Sequence, residues 1–199
     1  MSTSVWVYTD KVKDHFMNPR NVWDDDSYTP DGDGTVGSLA CGDQMRVGIK
    51  VENDTIVDLK WQTYGCASAI ASTSMMSELV IGMTLEEAYM LSPENITDSL
   101  GGLPEHKFHC SVLGDKALRA SIDNYLEREN RPNTLKSKVA RIICECKNIT
   151  DQRIEELVKS KEATTIDELR EITGFGTVCG SCNKEVHELF HELQHIYGV

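Results

Sequence analysis

The sequence lacks the marks of several large classes of protein. Its apolar runs are short and interrupted, so no segment is long enough to cross a bilayer, and the start Met-Ser-Thr-Ser-Val-Trp has no basic flank followed by a hydrophobic signal region. Lys and Arg number 20 against 32 Asp and Glu, and the net charge of −12 repels nucleic acid and anionic lipid. We therefore expect a cytoplasmic protein, with no nucleic acid and no membrane among its partners.

What the chain does contain is a globular composition and an unusual set of thiols. It has 199 residues, 40% hydrophobic and 26% charged, enough for one large or two small domains with a buried core. Among these residues are seven cysteines. Thiols stay reduced in the cytoplasm, so the cysteines are better explained as metal ligands or catalytic groups than as a disulfide framework.

The polar, Pro-containing stretch Glu-Asn-Arg-Pro-Asn-Thr-Leu-Lys-Ser-Lys marks a boundary between two domains. We place the first domain at residues 1–130, a linker at 131–138 and the second domain at 139–199. The predicted fold class is α+β: a first domain with a small antiparallel sheet packed by helices, followed by a small all-α domain.

In the first domain, apolar residues alternate in two runs, Met45 to Val51 and Val57 to Trp61, on either side of the turn Glu52-Asn53-Asp54. This pattern predicts a half-buried β-hairpin. Longer periodicity then predicts helices over residues 67–81, 84–90 and 111–126.

The second domain, about sixty residues long, is small for a self-sufficient core, and domains of this size often use a metal as a staple. Thr165 and Glu168 form a capping-box pattern before one helix, and Gly174 supplies its stop. An apolar stripe predicts a final amphipathic helix. The stripe consists of Val186, Leu189, Phe190, Leu193 and Ile196.

Four of the cysteines lie in this helical part as two close pairs. Cys144 and Cys146 are separated from Cys179 and Cys182 by 32 residues, and the second pair comes where the final helix begins. A helix N-terminus favours the negative charge of thiolates there. Four thiolates can surround an iron–sulfur cluster or a tetrahedral zinc ion, and spacing alone does not choose between them.

The other three cysteines lie in the first domain in Gly- and Asp-rich surroundings. Cys41 and Cys66 flank the predicted hairpin, so its pairing brings them toward one rim, and Cys110 at a helix start can complete the group. With Asp43 and His109 adjacent, the donor set mixes sulfur, oxygen and nitrogen. Such ligands exchange on soft metals more readily than four thiolates do, which suits delivery of a cargo.

The second domain resembles a known family. Ile-Cys-Glu-Cys, 32 residues, and Gly-x-Val-Cys-Gly-Ser-Cys are similar to the bacterioferritin-associated-ferredoxin type of [2Fe-2S] domain, over roughly residues 139–195. The resemblance implies a small helical fold with a permanent [2Fe-2S] cluster. Its implied ligands are Cys144, Cys146, Cys179 and Cys182.

Residues 8–130 resemble the NifU/IscU family of iron–sulfur cluster assembly scaffolds. The resemblance is carried by the opening segment Tyr-Thr-Asp-Lys-Val-Lys-Asp-His-Phe-Met-Asn-Pro-Arg-Asn, by Cys-Gly-Asp, by Gly-Cys-x-x-x-x-Ala-Ser and by Lys-Phe-His-Cys-Ser. It implies that Cys41, Cys66 and Cys110 ligate a labile cluster, that Asp43 modulates its lability, and that His109 is a further ligand. Cys110 also resembles the acceptor of persulfide sulfur from a cysteine desulfurase, and the family implies a homodimer.

The chain departs from this family pattern in two places. NifU proteins usually continue into a third domain with another Cys-x-x-Cys, whereas this sequence stops at Val199, so we expect no hand-off through such a domain. IscU relatives carry Leu-Pro-Pro-Val-Lys for an Hsp70-type chaperone, and this chain has Leu-Pro-Glu-His-Lys. The second departure counts against a chaperone partner.

Two further motifs are set aside. His187-Glu-Leu-Phe-His191 and His191-Glu-Leu-Gln-His195 both satisfy the zinc-protease pattern, but their histidines are predicted to face solvent on a terminal helix. Gly32-Asp-Gly-Thr-Val-Gly37 fits a dinucleotide fingerprint, but it has neither the preceding strand nor the following helix. We predict a flexible loop at this position.

The resulting hypothesis is a carrier that is not itself a catalyst. It builds a transient [2Fe-2S] or [4Fe-4S] cluster from iron and desulfurase-derived sulfur and passes it to apo-proteins, while the second domain keeps its cluster and supplies electrons for assembly. Zinc can occupy the assembly site in the isolated protein. The alternative is a zinc-stabilised binding or regulatory module.

Overall fold

The computed structural model describes residues 8–25, 27–37, 44–103 and 109–199, and for residues 109–112 it describes the backbone only. The chain divides into two compact units, Met1–Asn133 and Thr134–Val199, called unit 1 and unit 2 below. In the described residues, no helix is both long and apolar enough to span a membrane.

Unit 1 combines one antiparallel sheet with five described helices. The sheet has the strand order β1-β2-β3, with β1 at Gly32–Val36, β2 at Met45–Glu52 and β3 at Thr55–Thr63. The helices are α1 (Asp10–Met17), α2 (Ala67–Val80), α3 (Leu85–Tyr89), α4 (Pro93–Ser99) and α5 (His109–Arg128).

The predicted hairpin is confirmed in strands β2 and β3. Its turn places Asn53 and Asp54 at φ of 50° and 59°, the left-handed conformations that a tight hairpin turn requires and that Asn and Asp tolerate. Apolar side chains of both strands, including Met45, Val47 and Leu59, are completely buried. The hairpin therefore supplies one wall of the core of unit 1.

Strand β1 corrects the prediction of a flexible loop at residues 32–37. It pairs antiparallel with β2, with Gly34 opposite Val47. Helix α5 lies so close to this strand that a Cβ added to Gly34 would sit 2.3 Å from the backbone nitrogen of Ser121. Glycine is needed at position 34 because a side chain there would block the approach of the helix. Gly32 and Gly34 also interrupt the alternation of apolar residues that would have predicted a strand.

The predicted helices over residues 67–81, 84–90 and 111–126 are confirmed as α2, α3 and α5 to within a few residues. Helix α4 was not predicted, because its seven residues carry little apolar periodicity. Its start is nevertheless encoded locally. The Ser92 hydroxyl accepts from the Asn95 N–H, Asn95 caps Ser92 in return, and Pro93 begins the helix.

Unit 2 is mostly helical, as predicted, and also contains a two-stranded sheet. The helices are α6 (Lys136–Val139), α7 (Asp151–Lys159), α8 (Ile166–Thr173) and α9 (Asn183–Tyr197), and the strands are β4 (Ile142–Cys144) and β5 (Ile149–Thr150). The strands pair antiparallel, Cys144 opposite Ile149. Because they are only three and two residues long, they leave no alternation for a sequence pattern to reveal, and the all-α description missed them.

The helix signals of unit 2 are confirmed at α8 and α9. The capping box of Thr165 and Glu168 is formed, and Gly174 ends α8 at φ 71°. On α9, Val186, Phe190, Leu193 and Ile196 are buried and Leu189 packs against the core. Phe175, in the loop between these helices, is also completely buried.

The histidines of the zinc-protease pattern lie where the sequence predicted. His187, His191 and His195 are all exposed on α9, opposite the buried stripe. His187 lies edge-on to the Phe175 ring and beside Arg170. These positions agree with the rejection of a protease site.

A buried histidine fastens α1 to α2. His15 is 4% exposed, and its Nδ1 lies 2.8 Å from the Ser74 hydroxyl. Its Nε2 is 3.6 Å from a Glu78 carboxylate oxygen, and Arg20 and Asp14 lie nearby. Burial is the main cause that lowers the pKa of His15 from 6.5, with the Arg20 charge acting in the same direction and Glu78 against it.

Because the folded protein binds the His15 proton more weakly than the unfolded chain does, the free energy of unfolding should be unaffected above pH 6.5 and should fall as the pH drops below that value. One such proton changes this free energy by at most about 1.4 kcal/mol per pH unit. Denaturant unfolding between pH 7 and pH 5 should show the slope in the wild type and lose it in His15→Gln.

The control is His191→Gln, which removes an exposed histidine and should keep the slope. Carboxylates with a lowered pKa, such as Asp14 beside Arg20, change the free energy of unfolding mainly below about pH 5, and they are present in both variants. An unchanged slope in His15→Gln would show that His15 is not the titrating group.

Candidate metal centres

Two segments of unit 2 bring the four predicted thiols together. Cys144 ends strand β4, and Cys146 follows in a 3-10 turn at Glu145–Lys147. Cys179 lies in the loop after α8, and Cys182 is the N-cap residue of α9. The short sheet and the start of the last helix thus hold one pair of cysteines each.

In space the thiols form two pairs, and each pair takes one cysteine from each segment. The sulfurs of Cys146 and Cys179 are 3.3 Å apart, and both residues are exposed. Cys144 and Cys182 are hydrogen-bonded to each other and only 2% and 5% exposed. In the described part of the chain, no three His, Cys, Asp or Glu side chains converge on the position of a single metal ion.

The exposed pair, Cys146 and Cys179, is called the outer pair below, and its hydrogen bonds favour loss of the proton from Cys179. Hydrogen bonds from the Ser181 hydroxyl and then from the Ser181 backbone N–H, together with one from Cys146, lower the pKa of Cys179 to about 7. The Cys146 thiol donates to Cys179, and this bond is the main cause that raises the pKa of Cys146. One thiolate of this pair is therefore readily available near neutral pH as a metal ligand.

The buried pair, Cys144 and Cys182, is called the inner pair, and its surroundings differ from those of the outer pair. Burial, and then the hydrogen bond with Cys144, raise the pKa of the Cys182 thiol, while the Gly176 backbone N–H donates to the sulfur and lowers it. A metal cation would compensate the charge of these buried sulfurs, because an isolated buried thiolate is costly.

The loop that carries Cys179 depends on two glycines and an asparagine. Gly176 and Gly180 have φ of 72° and 75°, which side chains rarely adopt. A Cβ on Gly176 would lie 2.0 Å from the Asn183 side-chain oxygen, so this amide fills the space that the glycine leaves. Motif reading singled out the cysteines and missed Asn183, whose only sequence signal is its place directly after the last Cys.

In unit 1 the structure describes one of the five predicted site residues in full. Cys66 is exposed and is the N-cap residue of α2, where the positive end of the 14-residue helix favours a thiolate. Cys41 and Asp43 lie outside the described residues. His109 and Cys110 begin α5, and their side chains are likewise outside the description.

The described neighbours of these positions meet at one end of the sheet. Gln44, which follows Asp43, accepts hydrogen bonds at its carbonyl from Tyr64 N–H and from the Thr63 hydroxyl, just before Cys66. One residue further on, the Met45 sulfur is 3.6 Å from the Thr73 hydroxyl of α2. A Cβ on Gly114, one turn beyond Cys110 in α5, would lie 3.3 Å from the same hydroxyl. The three chain segments therefore converge.

The fold and the thiols define a two-unit protein, with two pairs of neighbouring thiols in one unit and an exposed cysteine at a helix start in the other. Residues 7–132 match the NifU-like N terminal domain family, and residues 142–192 match the BFD-like [2Fe-2S] binding domain. The chain belongs to the NifU-like family, with a BFD-like domain following. The resemblances drawn from the sequence are confirmed.

Individual relatives agree with this assignment. The chain is 38% identical over 196 residues to the nitrogen fixation protein NifU of Trichormus azollae, covering 96% of this chain and 65% of that protein. It is 48% identical over 125 residues to the iron-sulfur cluster assembly scaffold protein IscU of Azotobacter vinelandii, covering 62% of this chain and 97% of that protein. The chain thus spans just under two thirds of the length of that NifU.

Among solved structures, the N-terminal part of a nitrogen-fixing NifU-like protein from Brucella abortus aligns with a TM-score of 0.49 and 20% identity. The alignment covers 60% of this chain and 94% of that one.

The glycine at position 176 provides a test of the loop. In Gly176→Ala, the left-handed φ costs about 1–2 kcal/mol and the new Cβ collides with Asn183. We expect iron and sulfide bound per chain in unit 2 to fall after anaerobic reconstitution, measured with Cys41, Cys66 and Cys110 replaced by Ser.

The matched control is Gly174→Ala. Its φ of 71° imposes the same strain, but its Cβ would meet only the flexible end of the Lys147 side chain, at 3.4 Å. The double variant Gly176→Ala, Asn183→Gly should recover part of the loss. If the two single variants retain iron and sulfide equally, the packing of Asn183 on Gly176 has no role in shaping the site.

Proposed function

We propose that this protein is an iron–sulfur cluster assembly scaffold. It accepts iron, together with sulfur from a cysteine desulfurase, builds a labile cluster in unit 1 and passes it to apo-acceptor proteins. A permanent [2Fe-2S] cluster resides in unit 2. The protein acts in the cytoplasm as a carrier, and the catalysis of sulfur release belongs to the desulfurase.

The observation that carries the proposal is the pairing of thiols in unit 2. Two sulfurs on one tetrahedral metal ion with bonds of about 2.3 Å lie about 3.8 Å apart. The 3.3 Å between the sulfurs of Cys146 and Cys179 is somewhat shorter than that separation, and Cys144 is hydrogen-bonded to Cys182. Two such pairs suit a binuclear cluster in which each metal takes two protein ligands.

Cys144, Cys146, Cys179 and Cys182 would hold that cluster. When bound, it would supply one-electron transfer, and two such transfers would be needed to reduce one persulfide sulfur to sulfide. Half of the ligand set is buried and comes from the ends of regular elements, which favours retention. The outer sulfurs remain open to a redox partner.

Unit 1 would hold its cluster as cargo. We assign Cys41, Cys66 and Cys110 as ligands, with Asp43 or His109 as the fourth. The exposure of Cys66 at the start of α2, and the convergence of the segments that lead to the other positions, support this set. A cluster held by three thiolates and one oxygen or nitrogen ligand dissociates more readily than a cluster held by four thiolates.

The sulfur delivered to this site is at the oxidation level of elemental sulfur, because it comes from a persulfide. The Cys110 thiolate attacks the terminal sulfur of the desulfurase persulfide, so one S–S bond forms, another breaks, and the desulfurase thiolate leaves. Release of sulfide from the Cys110 persulfide then takes two electrons and two protons and returns the thiol and H2S. The electrons would come originally from an external low-potential donor protein, because the cluster of unit 2 can carry electrons but is not their source.

The partners follow from this chemistry. They are a cysteine desulfurase, apo iron–sulfur acceptor proteins and, by family resemblance, a second copy of the chain in a homodimer. The segment Leu-Pro-Glu-His-Lys lies largely outside the described residues, and its departure from the chaperone motif is the reason for assigning no Hsp70-type partner.

The visible spectrum of the anaerobically purified full chain, with iron, sulfide and zinc analysis, tests the assignment of unit 2. Replacing Cys41, Cys66 and Cys110 by Ser should leave the colour, about two irons and about two sulfides per chain. The matched variant with Cys144, Cys146, Cys179 and Cys182 replaced by Ser should lose them. Colourless protein with zinc as its only metal would establish the zinc-module alternative for unit 2.

The role of Asp43 in lability is tested by transfer. Asp43→Ala removes an exchangeable oxygen ligand, so after reconstitution with iron and a desulfurase we expect transfer to an apo-ferredoxin to slow on the order of tenfold. Stopped-flow absorbance measures the rate, and Asp98→Ala, an exposed aspartate on α4, is the control. Equal rates for all three proteins would remove Asp43 from the mechanism.

A further inference from the structure

Ser181 lies between Cys179 and Cys182 in the sequence and contacts Cys179. Its hydroxyl oxygen is 3.0 Å from the Cys179 sulfur. The backbone N–H of Ser181 donates to the same sulfur. One residue therefore directs two donors at a single thiolate, and that thiolate belongs to the exposed pair.

The two donors differ in what they depend on. The backbone N–H is fixed by the loop, whose shape is set by Gly176, Gly180 and Asn183, and every substitution at position 181 other than Pro retains it. The hydroxyl depends on the identity of the side chain. Of the two contacts, only the hydroxyl can therefore be removed without changing the backbone.

A hydrogen bond to a cluster-ligating thiolate has a definite electrochemical effect. It withdraws charge from the sulfur and so favours the more negative, reduced state of the centre. Reduction potentials of iron–sulfur centres respond to such bonds and to solvent exposure. Cys179 is exposed, so water can also donate a hydrogen bond to its sulfur. The Ser181 hydroxyl has an advantage over water because the chain already holds this hydroxyl beside the sulfur.

We propose that Ser181 is a positioning residue that keeps a hydrogen bond on the Cys179 thiolate and thereby raises the reduction potential of the centre in unit 2. The inference rests on the [2Fe-2S] site of the proposed function. It adds that the outer side of that site is tuned for electron acceptance by a side chain that is not itself a ligand.

The test uses the full chain with Cys41, Cys66 and Cys110 replaced by Ser, so that unit 2 alone contributes a signal. Potentiometric titration followed by electron paramagnetic resonance gives the midpoint potential of the centre in the protein with Ser181 and in the variants Ser181→Ala, Ser181→Thr and Ser181→Val. Thr and Val have nearly the same shape and differ in the hydroxyl. We expect the potential to fall in the Ala and Val variants and to stay near the starting value in the Thr variant.

A second measurement detects the hydrogen bond without electron transfer. Resonance Raman bands of the iron–thiolate stretches should shift between H2O and D2O when the hydroxyl bond is present. That isotope shift should decrease in Ser181→Val relative to Ser181→Thr. A change of loop packing alone would alter both variants equally.

The outcomes separate this inference from the proposed function. If the parent protein binds zinc or no metal in unit 2, the proposed function fails. If it binds a [2Fe-2S] cluster and the Thr and Val variants have equal potentials, the role of Ser181 is overturned while the function stands. Loss of the cluster from the Val variant alone would support the contact, and loss from both variants would overturn it.

Discussion

The central constraint on unit 2 is that the sulfur atoms of its cysteines are held close together in pairs. Thiolates repel one another, and burial penalises their charge, so four of them can share a site only when cations or hydrogen-bond donors compensate. Unit 2 meets this constraint with a sheet end and a helix start that face each other, with backbone and side-chain donors at Cys179 and Cys182. Much of its small core surrounds these positions, and Cys144 and Cys182 are themselves part of it.

The described cysteine of unit 1 has a different environment. Cys66 lies at the start of α2 and is exposed. The rest of the unit supports that position: β1 pairs with β2, and α5 packs directly on the glycines of β1. The described cysteines of the two units thus differ in burial: Cys144 and Cys182 are buried in unit 2, and Cys66 is exposed in unit 1.

Sequence reasoning recovered those features that are encoded locally. The hairpin, the capping box at Thr165 and the stripe of α9 each have a periodic or capping signal, and the cysteine spacings predicted the two segments that bring the thiols of unit 2 together. Strand β1 was missed because its glycines serve the packing of α5, a contact between residues far apart in sequence. The division of the four thiols into an outer and an inner pair also depends on tertiary contacts.

The most direct test of the account follows iron through both sites. Isotopically labelled iron is loaded during assembly with a desulfurase, an apo-acceptor is added, and Mössbauer spectra identify the labelled centres left on the full chain. The account predicts two populations: one leaves with the acceptor and requires Cys41, Cys66 and Cys110, and one stays and requires the four cysteines of unit 2. A single population that leaves or stays as a whole would contradict it.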